Sequence, residues 1–276
     1  MIDDNFIQVN KETCKRCGQC VNVCRGTLVM GNSGPEIAQN LCIECGHCVA
    51  VCPSGALNNT RTPLKNQVPI KKELSISSEI AAAFLRSRRS IRSFNSKAVE
   101  REIINKLLDI ARFAPTACNS QGISYHVIDK KETLRSISSV IADWAEGNIK
   151  SGPLKNSPWV NNTANTIYQY RNSGKDTILR DAPCLIISTV KTEQFSLGRD
   201  NTHFSFSYVQ LYAPTLGLGS CWSGLFEYCA LDKYEPLLSL LEIPKNRVIT
   251  GGLLVGYPVY HFKRLVDREP LQVTWQ

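Results

Sequence analysis

Eight of the chain's 12 cysteines stand in two runs of a single spacing, Cys14-x2-Cys17-x2-Cys20-x3-Cys24 and Cys42-x2-Cys45-x2-Cys48-x3-Cys52-Pro53, offset by 28 residues. Thiolates three residues apart can converge on one iron–sulfur cubane from a tight loop, while the fourth cysteine, further along, reaches across to the neighbouring cubane. The spacing therefore predicts two 4Fe-4S clusters, one on Cys14, Cys17, Cys20 and Cys52 and the other on Cys42, Cys45, Cys48 and Cys24. Zinc would account for two Cys-x2-Cys pairs and leave the third cysteine of each run unused. Disulfides require an oxidising compartment, and the start from Met1 to Phe6 shows neither the basic nor the apolar region of a signal peptide, so a cytoplasmic location is expected.

The flanks of the cysteines repeat as well: Cys17-Gly18-Gln19-Cys20-Val21 matches Cys45-Gly46-His47-Cys48-Val49. The segment 9–57 reads as a duplicated half-unit and resembles the bacterial two-cluster ferredoxin. One departure is visible in the first run, where Arg25 follows Cys24 in the place of the usual proline. Proline there fixes the backbone and removes an amide, so Arg25 implies a locally different and more basic edge without removing a ligand.

With 276 residues, 43% of them hydrophobic, the chain is too long for a ferredoxin alone and has material for a second core. We place a two-cluster domain at 1–60, a linker at 61–75 where Pro63 and Pro69 interrupt any periodicity, and a second domain at 76–276. No apolar run approaches a membrane span. The formal net charge is +8, and residues 1–60 carry one more acidic than basic residue, so the second domain holds the positive charge. Arg86, Arg88, Arg89 and Arg92 cluster around a serine instead of forming a lysine-rich tail, which favours a small phosphate site over a nucleic-acid groove. Helices are expected over Ile80–Leu85, capped near Ser78, and over Val99–Phe113, where Ile103, Ile104, Leu107, Leu108 and Ala111 repeat with the helical period. Strands are expected at Tyr125–Ile128, Cys184–Val190 and Val248–Val255.

Three separated motifs in this second domain resemble the nitroreductase family of FMN enzymes. The first is Arg88-Arg89-Ser90-Ile91-Arg92-Ser93-Phe94, in which Arg88, Ser90 and Arg92 share one side of an extended segment and arginine forks suit phosphate oxygens and the flavin N1 and O2 edge. The second is Ala114-Pro115-Thr116-Ala117-Cys118-Asn119-Ser120-Gln121, whose amides offer the donors and acceptors that a ring with carbonyls and nitrogens requires. The third joins Leu216–Gly224 to Gly251–Pro258, His261 and Arg264; its glycines allow a backbone to lie against a flat ring, with an amide near Ser223 or Gly224 approaching N5. The resemblance implies FMN contacts from Arg88, Arg89, Ser90, Arg92, Pro115, Thr116, Asn119, Gln121, Ser223 and Gly224, and a second phosphate contact from Arg264. Family members commonly carry lysine where His261 stands, and Lys263 can supply that charge. The resemblance further implies a homodimer in which the second motif closes over FMN from the partner, and an α+β fold with a central, mostly antiparallel sheet flanked by helices.

Of the remaining cysteines, Cys184 fits a strand core, while Cys118 and Cys221 lie within the flavin motifs with no histidine beside them in sequence. His47 sits between cluster ligands and is expected in solvent; His203 is read as opening a helix over Phe204–Tyr212. Trp144, Trp159, Tyr168 and Tyr170 suit either core packing or a substrate lid.

Clusters move single electrons and flavin can deliver a pair. The combination implies an oxidoreductase in which a low-potential donor such as ferredoxin feeds two 4Fe-4S clusters, then FMN, then a small organic acceptor. The acceptor class is a nitro compound, a quinone, an activated double bond or a halide. The alternative is an electron-transfer module in which FMN takes hydride from NAD(P)H and the clusters pass electrons to a protein partner.

Overall fold

In the computed structural model, the described residues are 6–24, 26–71, 73 and 75–276; Arg25 and the start of the chain before Phe6, both of which figured in the sequence reading, lie outside them. The chain divides into two compact units, one of residues 1–76 with 118–120 and the other of 77–117 with 121–276. Each is taken by itself.

The first unit repeats one small motif. Strand β1 (Ile7–Val9) pairs antiparallel with β4 (Leu57–Asn59), and β2 (Leu28–Gly31) with β3 (Gly34–Ile37). Two short helices, α1 (Gln19–Val23) and α2 (His47–Ala50), each start after a left-handed glycine, Gly18 at φ 76° and Gly46 at φ 71°. That conformation is open to glycine at no steric cost, which explains the repeated Cys-Gly-x-Cys. Two residues before each glycine, Arg16 and Glu44 also have positive φ, 50° and 56°. The same turn is therefore built twice. Its apolar core is small, with Leu28, Val49 and Leu57 packed around Cys20 and Cys48. A unit of this size rarely buries enough apolar area to hold itself together without a cross-link or a bound group. Asn58 and Asn59 belong to β4, because pairing with Gln8 and Ile7 overrides their low strand propensity.

The second unit is built on one four-stranded sheet in the order β5-β6-β8-β7, all pairs antiparallel: β5 (Ser124–Ile128), β6 (Cys184–Lys191), β7 (Gly219–Trp222) and β8 (Arg247–Gly256). The central strands are apolar on both sides, and the period of two sorts them. Leu185 and Ile187 of β6 and Leu254 of β8 face a layer made of α5 (Lys131–Ser151), α6 (Val160–Ser173), α8 (Gly224–Leu231) and α9 (Glu235–Leu241). Cys184 and Ile186, with Leu253 and Val255, face α4 (Arg101–Ala111) and α7 (Phe195–Tyr212). This is the α+β sheet flanked by helices that the sequence implied. The three expected strands are present, and β7 is added where the sequence showed only a glycine-rich motif.

Helix α3 (Ser78–Ser87) buries no residue, and Ile80, Phe84 and Leu85 are exposed. Its cap is Ser77 and not Ser78: Ser77 is extended and its hydroxyl accepts from Ile80 N–H at 3.3 Å, whereas Ser78 lies inside the helix and donates to Glu79. Helix α7 begins at Phe195, not at His203, and its early turns carry buried Asn201, Thr202 and Ser205. Thr202, Ser188 of β6 and Thr250 of β8 form a closed hydroxyl trio at 2.7–3.1 Å, which satisfies these groups inside the protein. Gly198 lets α7 approach β6, since a Cβ there would stand 2.6 Å from Val190. Among the described residues, no helix is long and apolar enough to cross a membrane.

Candidate functional site

In the first unit, the structure brings Cys14, Cys17, Cys20 and Cys52 around one cavity, together with Val9, Met30, Pro35 and Leu57. The fourth cysteine of the second run thus joins the first three of the first. The other set is crossed in the same way. Burial first, and then the neighbouring Cys24, Cys45 and Cys42, push the Cys48 thiol up to about 11. Cys20 is likewise raised, first by burial and then by Cys52 and Cys17. Crowded thiols of this kind resist ionisation until a metal compensates the charge. Burial also acts on Cys52, but backbone and Ser54 hydrogen bonds outweigh it and lower the thiol.

Among the described residues, no three His, Cys, Asp or Glu side chains close around a single-ion position. A cubane makes a different demand, because each iron takes one thiolate and the four thiolates surround a group of atoms. The donor set, four sulfurs and no carboxylate or imidazole, is the one such a cluster uses. His47 is exposed, as expected.

In the second unit, the first and third motifs meet along the sheet edge. Ser90 bridges Ser220 in parallel, Ile91 N–H donates to Ser220 O at 2.9 Å, Asn95 N–H to Tyr257 O at 2.9 Å and Val259 N–H to Ser93 O at 3.1 Å. The arginine-rich segment is therefore stitched to β7 and to the chain just beyond β8. Arg92 is exposed and Arg88 half-buried. Arg89 carries the distinctive geometry. Its Nη1 donates to the carbonyls of Arg86 and Arg88 at 3.2 and 2.9 Å, while its Nε and Nη2 are buried and have no hydrogen-bond partner. The Ser223 hydroxyl is also buried without a partner, at the head of α8, and its backbone N–H donates to Gly252 O at 2.9 Å. Buried donors left open in this way call for an acceptor, and an anion with several oxygens meets that need.

Gly224 begins α8, and a Cβ added there would meet nothing within 4 Å, so space lies before this backbone. Gly251 and Gly252 serve a different purpose from the one read in the sequence. A Cβ on Gly252 would fall 2.4 Å from Phe226, and one on Gly251 2.8 Å from Trp222, so these glycines make room for aromatic side chains of the protein itself.

The second motif forms a tight loop in which Cys118, Asn119 and Gln121 all have positive φ. Non-glycine residues adopt that region at a cost, and such strain gathers at functional loops. Thr116 Oγ1 accepts from Gln121 N–H at 3.1 Å, Ala117 N–H donates to Asn201 Oδ1 at 2.9 Å, and Pro115 is exposed. Asn119 belongs with the first unit, where its amide donates to the carbonyls of Ile43 and Glu44 at 2.9 and 3.0 Å. Arg264, His261 and Lys263 are exposed in the chain beyond β8, and no hydrogen bond joins Arg264 to the other candidates among the described residues.

Residues that the sequence did not single out stand next to Ser223. Glu227, buried in the first turn of α8, accepts from Trp222 Nε1 at 2.6 Å and from Arg199 Nε and Nη2 at 3.0 and 2.9 Å. Trp222 in turn packs against His203, with the rings tilted by 46° and their centroids 4.8 Å apart. Arg199 lies on α7 and Glu227 on α8, and nothing local in either segment announces their pairing. Cys184 and Cys229 are buried, which lifts each thiol to about 12, so both are inert packing residues. Trp144 is buried with its Nε1 on Asp232, Tyr170 packs against the core as a half-buried residue, and Trp159 and Tyr168 are exposed.

A crossed pair of four-cysteine sets in one unit, and in the other an antiparallel sheet edge carrying open cationic and hydroxyl donors, define an iron–sulfur oxidoreductase. Known sequences and structures agree. Residues 85–257 match the profile described as the nitroreductase family, and residues 11–57 match a 4Fe-4S dicluster domain. The chain belongs to the nitroreductase family and is a flavin oxidoreductase of that family carrying a dicluster domain. It is 25% identical to a putative NADH dehydrogenase/NAD(P)H nitroreductase of Methanothermobacter thermautotrophicus, over 63% of this chain and 75% of that one. It is 22% identical to an FMN reductase [NAD(P)H] of Bacillus subtilis, over 63% of this chain and 64% of that one. In fold it is similar to an FMN-bound nitroreductase of Desulfitobacterium hafniense, with a TM-score of 0.56 at 16% identity, covering 72% of this chain and 100% of that one. A BluB-like flavoprotein of Clostridium difficile gives a TM-score of 0.55 at 20% identity, covering 71% and 96%.

Proposed function

We propose that the protein is an FMN- and iron–sulfur-dependent oxidoreductase that takes electrons from a low-potential donor such as ferredoxin and passes them to a small organic acceptor: a nitro compound, a quinone, an activated double bond or a halide. A ferredoxin-like domain spans 1–60, a linker 61–75 and an FMN domain 76–276. Cys14, Cys17, Cys20 and Cys52 hold one 4Fe-4S cluster and Cys42, Cys45, Cys48 and Cys24 the other. When bound, the clusters supply single-electron transfer and FMN supplies the pairing of electrons for the acceptor.

The residues divide the remaining work. Arg89 offers its open Nε and Nη2 to the FMN phosphate, and Arg88, Ser90, Arg92 and Arg264 add charge and hydrogen bonds toward the phosphate and the N1 and O2 edge. Ser223 and the Gly224 backbone face the flavin ring near N5, and Pro115, Thr116 and Gln121 close over it. The protein acts as a homodimer in the cytoplasm, with the exposed apolar residues Ile80, Phe84 and Leu85 of α3 covered by the second copy.

The observation that carries this reading is the crossed arrangement of the cysteines, since a chain needing only a flavin has no use for two such sets. Iron analysis of anaerobically purified protein tests it: about eight irons per chain are expected from two cubanes, and Cys17→Ala and Cys45→Ala each lose iron. Unchanged iron in both variants would show the assignment to be wrong.

The relatives named as NAD(P)H nitroreductase and FMN reductase favour a second reading, in which FMN accepts hydride from NAD(P)H and the clusters carry electrons out to a protein partner. Nicotinamide that stacks directly on flavin requires no separate dinucleotide fingerprint.

A further inference from the structure

The duplicated halves of the first unit differ beside their clusters at the position that Asn59 buries in the second half. Up to the fourth cysteine the offset is 28; beyond it the second half carries one extra residue. There the left-handed Gly26 (φ 91°) corresponds to Gly55 (φ 61°), and Ala38 N–H donates to Thr27 O as Asn10 N–H donates to Ala56 O, both at 2.8 Å. Buried Leu28 then corresponds to Leu57, and Met30 to Asn59. Met30 lines the cavity of Cys14, Cys17, Cys20 and Cys52, and its side chain carries no N–H to offer. Asn59 is 1% exposed, and its Nδ2 points at Cys42 Sγ at 3.8 Å. The orientation of the amide is set by its other end, because Oδ1 accepts from Arg61 N–H at 3.0 Å. Cys42 Sγ also accepts from the Glu44 backbone N–H at 3.4 Å.

We infer that Asn59 tunes the cluster held by Cys42, Cys45, Cys48 and Cys24, raising its reduction potential through an N–H···S hydrogen bond that Met30 cannot supply to the other cluster. The inference rests on the cluster assignment proposed above. A one-electron reduction adds negative charge to the cluster and its thiolates, and a donor fixed beside a thiolate stabilises the more charged state. The donor is held on β4 by backbone pairing and by the Arg61 contact, so it need not reorganise when the electron arrives. Asn59 is a tuning residue acting through Cys42 and takes no part in bond making.

The test is an EPR-monitored redox titration of the full-length, iron-loaded protein. Asn59→Met, which copies the other half, is expected to lower the midpoint of one cluster and leave the second in place. A tenfold change in that reduction equilibrium reads as about 59 mV. Met30→Asn, which adds an amide instead of removing one, is expected to raise the midpoint of the other cluster. The cluster that Asn59→Met shifts is the one whose signal Cys45→Ala removes. If both variants hold their iron and neither midpoint moves, the inference is overturned. If Asn59→Met fails to retain iron, Met30→Asn alone decides: a rise in one midpoint supports the tuning role and no change refutes it. Wild-type protein without two clusters would instead refute the underlying assignment, a result separable by iron content.

Discussion

Arg89→Met separates a binding role from a structural one. In the free protein the Arg89 guanidinium keeps two buried donor nitrogens, Nε and Nη2, without acceptors, and its Nη1 holds the end of α3 through two carbonyls. Hydrogen bonds that involve a charged group are worth about 1.5–3 kcal/mol each, so two of them to a phosphate contribute about 3–6 kcal/mol. At 1.4 kcal/mol per decade, their loss weakens FMN binding by roughly a hundredfold to ten-thousandfold. The free protein responds differently. Each unsatisfied buried donor costs about 1–3 kcal/mol, and its removal offsets the loss of the two charge-assisted Nη1 bonds at about 1.5–3 kcal/mol each, so stability changes little. FMN titration of flavin-free protein, followed by flavin fluorescence, gives the first quantity; urea unfolding of the same protein without FMN gives the second. Arg89→Lys restores charge without the planar fork and is expected to recover only part of the affinity. If Arg89→Met binds FMN as wild type does and its flavin-free form unfolds at clearly lower urea, Arg89 is a structural residue and the phosphate site is misplaced.

Two further outcomes concern carboxylates, the buried Glu227 and the half-buried Asp176. Glu227→Gln keeps an acceptor but loses the charge that holds Arg199 and Trp222, and a loss of about 1.5–3 kcal/mol is expected from the charge-assisted bonds, read by urea unfolding together with a shift in tryptophan emission. Unchanged emission and stability would remove Glu227 from the site's scaffold. Burial raises the Asp176 carboxyl above the usual range, against the opposing hydrogen bonds from Ser138, Leu179 and Ile178. The folded state then holds this proton to a higher pH than the unfolded state does. The stability it contributes is full below the ordinary carboxylate value and is lost as pH rises through the raised value. Asp176→Asn keeps the acceptor for Ile178 and Leu179 N–H and carries no titrating group, so it gains on wild type across that window; parallel profiles of unfolding midpoint against pH would contradict the shift.

The grouping of the cysteines was legible in the sequence because it is local: three come from one loop, and the reach of the fourth follows from duplication. The sheet was legible for a similar reason, since β6 and β8 are continuous apolar runs whose alternate residues face two helical layers. The arginine motif was legible as a motif but not in its geometry. Alternation placed Arg88, Ser90 and Arg92 on one wall, yet the guanidinium whose buried Nε and Nη2 stand open belongs to Arg89, because the segment is held by isolated bridges to Ser220 and Pro258 far along the chain. The start of α7 was hidden by Asn201, Thr202 and Ser205, polar residues that are buried only because Ala117, Ser188, Thr250 and Tyr125 meet them. The Arg199–Glu227–Trp222 network likewise exists only once two helices are packed.

Anaerobic stopped-flow spectroscopy of the loaded protein tests the direction of electron flow most directly. Mixed with reduced ferredoxin, the broad cluster absorbance is expected to bleach first and the flavin absorbance to follow, whereas NADH or NADPH leaves both in place. Rapid bleaching of the flavin by NADH or NADPH, with the clusters reduced afterwards and no reaction with ferredoxin, would contradict the account and support electron export to a partner.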